Sequence, residues 1–407
     1  MANVSVIGSQ YGDEGKGRTV DFVCYNLAGK TLVVRYNGGA QAGHTVVLNN
    51  KRHIFSQFGS GTLRGCDTYF AEECLFDPLA FLTEKKKLNV NFSINTNFYV
   101  NNKCRIVTPY DIVANRIKAT LSNQGTCGMG INEAIRRNER FDLSTSLALN
   151  DFLSKDRARL ISIVNNIYLD FNIRFGATDV KKLDPDTAAL FASLISSESV
   201  IKFAYLVWDM INKKMLIPSY GLPAGYNNHV FEGAQGLMLD EYFGNYPYVT
   251  PSRTGSINIT KICRAENLHL DTSYYVARPY ISRHGVDDFF QKTDITNFFN
   301  IVDNTNIYNY WQKSTYYSFF DFEHWSELIK LDKQYNCAEN IAVSLTCIDQ
   351  IKSIDSIPIY DSIESAKRLI DPIIINIIEF RSMLRFHTNP NPYLKDTNLY
   401  FSSPSNN

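Results

Sequence analysis

The hydrophobic pattern of the first 30 residues changes its period at a run of glycines. Residues 4–7 form a short apolar run that is typical of a buried strand. The apolar residues of 20–27 recur instead at the i, i+3, i+4 and i+7 positions of a helix, which Gly29 is expected to end. Glycines at positions 8, 12, 15 and 17 separate the two patterns. The pattern therefore predicts a strand, a glycine-rich turn and a helix.

The rest of the chain alternates between strand-like and helix-like patterns. An Asn49-Asn50 turn is expected to join residues 46–48 and 53–55 in a hairpin. Residues 142–217 are helix-like and nearly free of glycine. Further strands are predicted at 31–36, 105–107, 229–231, 274–281, 341–348 and 384–387. Further helices are predicted from Pro78 and over 109–121, 362–369 and 372–380.

This alternation predicts an α/β fold with a central, mostly parallel sheet and flanking helices. We expect one domain over residues 1–401, with a helical insertion at about 142–217 and a disordered tail at 402–407. Glycine-rich loops at 8–17, 37–45 and 233–236 each follow a predicted strand. Ligands of such folds bind at the carboxyl ends of the strands, so the three loops are expected to converge on one crevice.

Composition narrows the functional classes. Lys plus Arg and Asp plus Glu both number 41, so no global charge favours nucleic acid or an anionic membrane. The eight cysteines have neither CxxC nor metal-finger spacing, which favours reduced thiols and a cytoplasmic location, that of the host if the chain is viral. No apolar run reaches the roughly 18 residues of a membrane span, and no signal peptide is evident.

The first glycine loop carries charged groups that suit phosphate chemistry. It is not a Walker A loop, because Gln10 stands at its first glycine position and Gly17 replaces the Ser or Thr after Lys16. Asp13 and Glu14 add carboxylates that suit a Mg²⁺ ligand or a base. A solvated turn with no ligand is the alternative.

Asp13 and His44 lie on loops after neighbouring predicted strands, so they can face each other across a substrate. Asp13 would remove a proton, His44 would supply positive charge or a proton to an oxyanion, and Lys16 would complete an anion pocket. A structural loop histidine is the alternative for His44. Gln235 can read a base edge, and Asp349 can accept hydrogen bonds from one. Candidate anion clamps are Arg136, Arg137, Arg253, Arg278 and Arg283.

Four blocks of sequence resemble the adenylosuccinate synthetase family. They are GSQYGDEGKG (8–17), NGGAQAGHT (37–45), GTCGMGI (125–131) and FEGAQGLMLD with YPYVTPSRTG (231–255). The resemblance implies a P-loop-NTPase-like synthetase fold and a cytosolic homodimer. It also implies a ligase that joins L-aspartate to C6 of a purine nucleoside monophosphate. The 6-oxygen is first phosphorylated by a nucleoside triphosphate with Mg²⁺.

The resemblance also implies roles for individual residues. The catalytic residues would be Asp13, His44 and Lys16, and Asp13 and the Gly43 carbonyl would bind the metal. The nucleotide-binding residues would be Gly12, Glu14, Gly15, Gly17, Arg18, Asn37, Gly43, Thr45, Thr126, Cys127, Gln235, Thr250, Thr346 and Asp349. Aspartate would contact Arg253, Arg283 and Thr305, and a partner subunit's phosphate site would receive Arg136, Arg137 or Arg140.

The chain departs from the ordinary family pattern at several points. It lacks the arginine-rich TTGRRRR loop over 303–323, reads TCID rather than TKLD at 346–349, and carries Cys127 in place of a threonine. SRHG (282–285), PSRTG (251–255), TCIDQ (346–350) and HTNPN (387–391) resemble the phage branch, which uses dGMP and adenine nucleotide donors. That branch often has serine at position 13, whereas this chain keeps Asp13 as the IMP enzymes do.

Three functional hypotheses follow. The first is a phage-type ligase that uses dGMP with ATP or dATP, and the second is a conventional enzyme that uses IMP with GTP. The third is a catalytically silent nucleotide-binding homologue, suggested by the missing arginine loop. A P-loop GTPase switch is excluded by the residue after Lys16. Neither nucleic acid nor membrane is expected as a partner.

Overall fold

The computed structural model describes residues 1–122, 126–140, 143–285, 290, 292–302, 311, 314–347, 350–352 and 399–402. The helices predicted at 362–369 and 372–380 and the strand predicted at 384–387 lie outside these residues. Thr305, Asp349, the HTNPN motif and most of the expected tail, 403–407, also lie outside them. Residue 402 belongs to a described strand.

Fifteen strands form within the described residues. They are β1 (Ala2–Gly8), β2 (Thr31–Arg35), β3 (His44–Leu48), β4 (Lys51–Phe55), β5 (Asp67–Phe70), β6 (Leu75–Phe76), β7 (Phe98–Asn101), β8 (Arg105–Ile106), β9 (Ile217–Ser219), β10 (Asn228–Gly236), β11 (Thr272–Ala277), β12 (Tyr280–His284), β13 (Thr315–Phe319), β14 (Asn340–Thr346) and β15 (Leu399–Ser402).

The same residues form ten α-helices. They are α1 (Lys16–Asn26), α2 (Pro78–Phe92), α3 (Pro109–Ser122), α4 (Ile131–Asn138), α5 (Leu149–Leu153), α6 (Arg157–Phe175), α7 (Pro185–Leu194), α8 (Glu198–Asn212), α9 (Ile257–Ala265) and α10 (Phe322–Lys333).

The central sheet confirms the predicted parallel architecture. Nine described strands lie in the order β15-β14-β11-β1-β10-β2-β5-β7-β9, and each neighbouring pair is parallel. β1 lies between β10 and β11, and six of its seven residues are buried. A parallel sheet covered on both faces needs such nearly continuous apolar strands. The carboxyl ends of β1, β2 and β10 consequently open at one edge of the sheet.

Several elements differ from the sequence prediction. β10 extends from Asn228 through Gly236, so the predicted 233–236 loop is the end of the strand itself, where Gly236 pairs with Gly8 of β1 after the pairing with β2 has ended at Glu232. The single strand predicted over 274–281 is two strands, β11 in the sheet and β12 in a hairpin with β13. α1 ends at Asn26, before the predicted C-terminal glycine. The Asn49-Asn50 hairpin is confirmed, with φ of 49° and 59° at the two residues.

The helical region expected at 142–217 is confirmed as α5 to α8, and it shares a core with the sheet side of the molecule. Leu160 and Val164 of α6 and Val207 of α8 belong to the same apolar cluster as Phe98 of β7. Within the described residues, no single helix has the length and hydropathy of a membrane span. α7 and α8 have that length and hydropathy only when they are taken together, and a 97° bend separates them.

Candidate active site

The loops at the carboxyl edge of the sheet surround a cavity of about 320 Å³. Each of the three glycine-rich segments contributes to its wall, as the sequence predicted. The predicted site residues that line it are Gly12, Asp13, Gly43, His44, Thr126, Cys127, Gln235, Thr250 and Arg283. The cavity therefore collects residues from more than half the length of the chain.

Asp13 is held by a histidine that the sequence analysis did not select. Its Oδ2 lies 2.9 Å from Nε2 of His284, at the end of β12. Burial alone would raise the pKa of Asp13. The hydrogen bond and charge of His284, together with the charges of Arg278 and Lys16, outweigh burial and lower that pKa below its usual value. Asp13 is therefore a carboxylate at neutral pH, as a base or a metal ligand must be.

His44 is paired with a buried carboxylate on β10. Its Nδ1 lies 2.5 Å from Oε1 of Glu232, and the backbone N–H of Ser60 donates to Oε2 of Glu232 over 2.8 Å. Burial lowers the pKa of His44, although Glu232 opposes the shift. The hydrogen bond to Glu232 places a hydrogen on Nδ1. The other ring nitrogen, Nε2, belongs to a side chain that lines the cavity.

The pKa of Glu232 reflects the same pair. Burial would raise this pKa, but the charge and hydrogen bond of His44, the charge of Arg35 and a hydrogen bond from Ser60 lower it to about 2. Glu232 thus stays ionised and stabilises positive charge on His44 when a proton arrives there. An orienting carboxylate behind an imidazole is a recurrent feature of general acid–base catalysis.

Glu14 and Lys16 hold the first glycine loop together from inside. Oε1 of Glu14 accepts hydrogen bonds from the backbone N–H groups of Gln10 and Gly12, both over 2.8 Å. Its Oε2 lies 2.8 Å from Nζ of Lys16, which also donates to the Gly12 carbonyl over 2.8 Å. Both side chains are about 1% exposed. In this structure they are used to shape the loop, and neither lines the cavity, so their predicted nucleotide contacts stay predictions.

Two glycines of this loop are required by close packing. Gly15 has a φ of 88° at the start of α1, and a Cβ there would lie 3.1 Å from the Thr346 methyl group. A Cβ on Gly17 would lie 2.7 Å from Cβ of His44. The Thr346 hydroxyl donates to the Glu14 carbonyl. The predicted set Gly15, Gly17 and Thr346 therefore fixes how α1 meets β3 and β14.

Two amides offer hydrogen-bonding groups to the cavity. Among the described residues, Oε1 of Gln235 is buried and has no hydrogen-bond partner, and Gln235 adopts a φ of 63°. Both amide atoms of Gln41, which the sequence analysis did not select, are likewise buried without partners in the described part of the chain. Buried polar atoms of this kind cost free energy unless a ligand satisfies them.

The loop of Thr126 and Cys127 closes another side of the cavity. The N–H of Thr126 donates to the Trp311 carbonyl over 2.8 Å, and its hydroxyl donates to Asn115 over 3.2 Å. The Arg116 guanidinium lies 4.2 Å from the centre of the Trp311 ring and donates to the Gly128 carbonyl. These contacts present Thr126 beside Cys127 at the cavity wall.

Several predicted ligands are engaged elsewhere. Asn37 exchanges hydrogen bonds with the backbone of Ala234, at 2.8 and 3.0 Å, so its amide joins the loop after β2 to β10. The Arg253 guanidinium lies over the Tyr242 ring and near Asp240, and it does not line the cavity. Arg283 does line it, and its guanidinium lies 4.4 Å from the centre of the Tyr11 ring. Arg18 and Thr45 lie outside the cavity wall.

The three arginines expected near a partner subunit have different surroundings. Arg137 is 4% exposed and binds both carboxylate oxygens of Asp111 over 3.0 Å. It also donates to the carbonyls of Thr145 and Ile106, so four of its five N–H donors are engaged inside the chain and the buried side chain does not face a partner subunit. Arg140 binds both oxygens of Asp170. Arg136 is exposed on α4 and remains the candidate.

Sequence signals for the missed residues exist but are weak. Glu232 is an acid within the otherwise uncharged run VFEGA of a buried strand, a pattern that calls for a buried partner. His284 lies in SRHG, which carried the resemblance to the phage branch without a chemical role. Gln41 lies two residues before Gly43 in the second glycine loop.

A magnesium ion fits the residues present. Asp13 and Gly43 both line the cavity, and the Asp13 carboxylate is ionised. The described residues contain no cluster of three or more His, Cys, Asp or Glu that could hold a metal by itself. Mg²⁺ ordinarily binds through one or two carboxylates together with substrate phosphates, so this donor set suits an ion that arrives with a nucleotide.

The contrast between Arg137 and Arg136 gives a stability prediction. Arg137→Ala is expected to lower the free energy of unfolding by about 3 kcal/mol or more, because Asp111 would be left buried without its partner. Arg136→Ala, the matched control on the same helix, is expected to change it by less than about 0.5 kcal/mol. Urea denaturation of both variants measures this, and equal effects would contradict the assignment.

The Glu232–His44 pair gives a pH prediction. The pKa of Glu232 is lower in the folded chain, about 2 against 4.5, so its stabilisation is complete above pH 4.5 and is lost as the pH falls toward 2. Glu232→Gln is therefore expected to be less stable than the wild type at pH 7, by an amount that shrinks below pH 4.5. Chemical denaturation across this range measures the difference. A difference independent of pH would show that the charge of Glu232 contributes nothing.

Comparisons with known proteins agree with this fold. The family model for adenylosuccinate synthetase matches residues 5–313. The adenylosuccinate synthetase of Borrelia recurrentis is 32% identical over 264 residues, which are 62% of this chain and 56% of that protein. The Borrelia turicatae protein of the same name is 27% identical over 384 residues, 92% of this chain and 83% of that one.

Two solved structures share the fold. Fully ligated adenylosuccinate synthetase from Plasmodium falciparum has a TM-score of 0.57 at 19% identity, over 84% of this chain and 76% of that one. Cyanophage S-2L succinoaminodeoxyadenylate synthetase, bound to dGMP and dATP, has a TM-score of 0.56 at 14% identity, over 89% of this chain and 90% of that one. Because the family model covers most of the chain, this protein belongs to the adenylosuccinate synthetase family.

Proposed function

We propose that this chain is a ligase that joins the amino group of L-aspartate to C6 of a 6-oxopurine nucleoside monophosphate. It would use a nucleoside triphosphate and Mg²⁺. The observation that carries the proposal is the pairing of an ionised Asp13 and a carboxylate-backed His44 on one cavity. The chain's membership of the family supports the same reaction.

The reaction needs the two groups that the cavity provides. Asp13 would accept the proton from N1 of the purine, which increases electron density on O6. O6 would then attack the terminal phosphoryl group of the triphosphate, and the nucleoside diphosphate would leave. His44, backed by Glu232, would stabilise negative charge near the transferred group. The aspartate amine would next attack C6 and lose a proton, and O6 would depart within inorganic phosphate, which takes up that proton.

The metal would serve this reaction in one way. Mg²⁺, held by the Asp13 carboxylate and the Gly43 carbonyl, would neutralise phosphate charge when bound with the triphosphate. Arg283 lies on the cavity wall and is the candidate contact for the carboxylates of the substrate aspartate. Arg253 is instead engaged with Asp240 and Tyr242.

Hydrogen-bond acceptors on the cavity wall favour a guanine base. Guanine presents two donors on its Watson–Crick edge, N1–H and the 2-amino group, whereas hypoxanthine presents only N1–H. The cavity offers the Asp13 carboxylate and Oε1 of Gln235, which is buried without a partner in the described residues. We therefore propose a guanine monophosphate, and the motifs that resemble the phage branch lead us to propose dGMP with ATP or dATP as the donor. The dGMP and dATP bound to the cyanophage protein are in keeping with this choice.

IMP with GTP is the second candidate. The curated relatives that align with up to 92% of this chain carry the name adenylosuccinate synthetase. Asp13 is also the residue that the sequence analysis associates with IMP enzymes. A homodimer with Arg136 at the partner's site, and a cytoplasmic location, belong to either proposal.

Substrate preference tests the proposal. Phosphate release is measured with aspartate and Mg²⁺ while IMP, GMP and dGMP are crossed with ATP, dATP and GTP. We expect the highest kcat/KM for dGMP with an adenine donor. Gln235→Met should lower kcat/KM for dGMP about 10-fold more than for IMP, because it leaves the 2-amino group without an acceptor.

Other outcomes of the same experiment are decisive. Turnover of IMP with GTP alone would establish the conventional reaction and overturn the dGMP assignment. Absence of phosphate release in every combination, from protein that binds monophosphates, would identify a silent nucleotide-binding homologue.

A further inference from the structure

The contact between Asp13 and His284 joins two parts of the chain that are far apart in sequence. Asp13 lies in the loop after β1, and His284 ends β12, which belongs to a hairpin outside the central sheet. Nε2 of His284 lies 2.9 Å from Oδ2 of Asp13, and the two side chains are 16% and 28% exposed. Both residues line the cavity. The contact therefore occurs at the site itself.

His284 is held from its other side as well. Nδ1 of His284 lies 3.0 Å from the hydroxyl of Thr315, the residue directly opposite it on β13. With Thr315 donating to Nδ1, the ring hydrogen lies on Nε2 and points at Asp13. A charged ring also carries a hydrogen on Nε2, so the donation to Asp13 holds in both protonation states of the histidine.

A second contact fixes the same loop against the same strand. The ring of Tyr11, two residues before Asp13, lies 4.4 Å from the guanidinium of Arg283 and 5.9 Å from the ring of Phe290. Consecutive residues of β12 thus contact alternate residues of the glycine loop. Because the backbone is held by this contact and by Glu14, the carboxylate of Asp13 retains mainly its own side-chain rotation.

We propose that His284 is a positioning residue for Asp13: its hydrogen bond to Oδ2 sets the orientation in which the carboxylate meets the N1–H of the purine. The inference rests on the proposed function, in which Asp13 receives that proton. A carboxylate with one oxygen held needs less ordering when the base binds. The sequence motif SRHG thereby acquires a chemical role.

This arrangement makes a prediction about binding that does not require turnover. IMP and dGMP carry a hydrogen on N1, whereas N1 of AMP is an acceptor and would face the Asp13 carboxylate unfavourably. Wild-type protein is therefore expected to bind IMP or dGMP more tightly than AMP. His284 should contribute to this preference through Asp13 alone.

Titration calorimetry with dGMP, IMP and AMP tests the inference on the full chain. His284→Leu is expected to reduce the preference over AMP about 10-fold, the scale of one hydrogen bond to a charged group. His284→Gln, which keeps an N–H donor of similar reach, should retain most of it. His269→Leu, at a histidine that is 65% exposed and pairs with Glu339, is the matched control and should change nothing.

A double-mutant cycle separates positioning from a general structural role. In the Asp13→Asn background, His284→Leu should cause no further loss of preference, because its effect passes through the carboxylate. Where the wild type turns over, His284→Leu should lower kcat at least 10-fold with less than a 3-fold change in KM for the monophosphate. Thermal unfolding checks that each variant is folded. If His284→Leu does not fold, His284→Asn takes its place, because the asparagine side chain is too short to reach Asp13.

The results distinguish failure of the inference from failure of the proposed function. The preference in question is that for dGMP or IMP over AMP. The inference is overturned if folded His284→Leu keeps this preference in full, or if the wild type shows none. It is also overturned if His284→Leu causes the same loss of preference in the Asp13→Asn background as in the wild type. If the wild type shows the preference but releases no phosphate with any substrate, the proposed ligase reaction fails. The binding cycle still decides the role of His284 in that case.

Discussion

The structure of the site depends on one buried carboxylate, that of Glu14. This carboxylate accepts hydrogen bonds from two backbone N–H groups of its own loop and from Lys16. The backbone carbonyl of Glu14 accepts a hydrogen bond from the hydroxyl of Thr346. A buried charge is costly unless it is paired and hydrogen-bonded in this way. The network fixes Gly12, and Asp13 follows directly. The first glycine loop is thus ordered by its own side chains before any phosphate binds.

The charged groups of the site follow a common arrangement. Each group that we assign to chemistry is held by a partner from a distant part of the chain: Asp13 by His284, and His44 by Glu232. The parallel sheet supplies one member of each pair, because Asp13 follows β1 and Glu232 lies on β10. The partners His284 and His44 lie on the β12–β13 and β3–β4 hairpins outside that sheet. The sheet and the two hairpins together therefore position the reactive side chains.

Sequence reasoning predicted the architecture and the convergence of the glycine loops, because these depend on local periodicity and on a rule about parallel sheets. It did not predict which partner each charged residue would choose. Glu232 and His44 are 188 residues apart, and no local pattern encodes their contact. Arg137 illustrates the same limit: its sequence suggested a surface clamp, whereas Asp111, 26 residues earlier, binds it in the interior. The Gln235 segment was predicted as a loop because its glycines conceal the end of a strand, which pairs with β1 at Gly236.

The central claim is that the purine oxygen is activated by phosphorylation while Asp13 removes the N1 proton. The most direct test follows the oxygen atom itself. A monophosphate labelled with ¹⁸O at the 6-position is incubated with the protein, aspartate, Mg²⁺ and a triphosphate, and the released phosphate is examined by mass spectrometry. The account predicts one ¹⁸O atom in each phosphate released. Phosphate without the label would mean that the triphosphate is merely hydrolysed, and it would contradict the account.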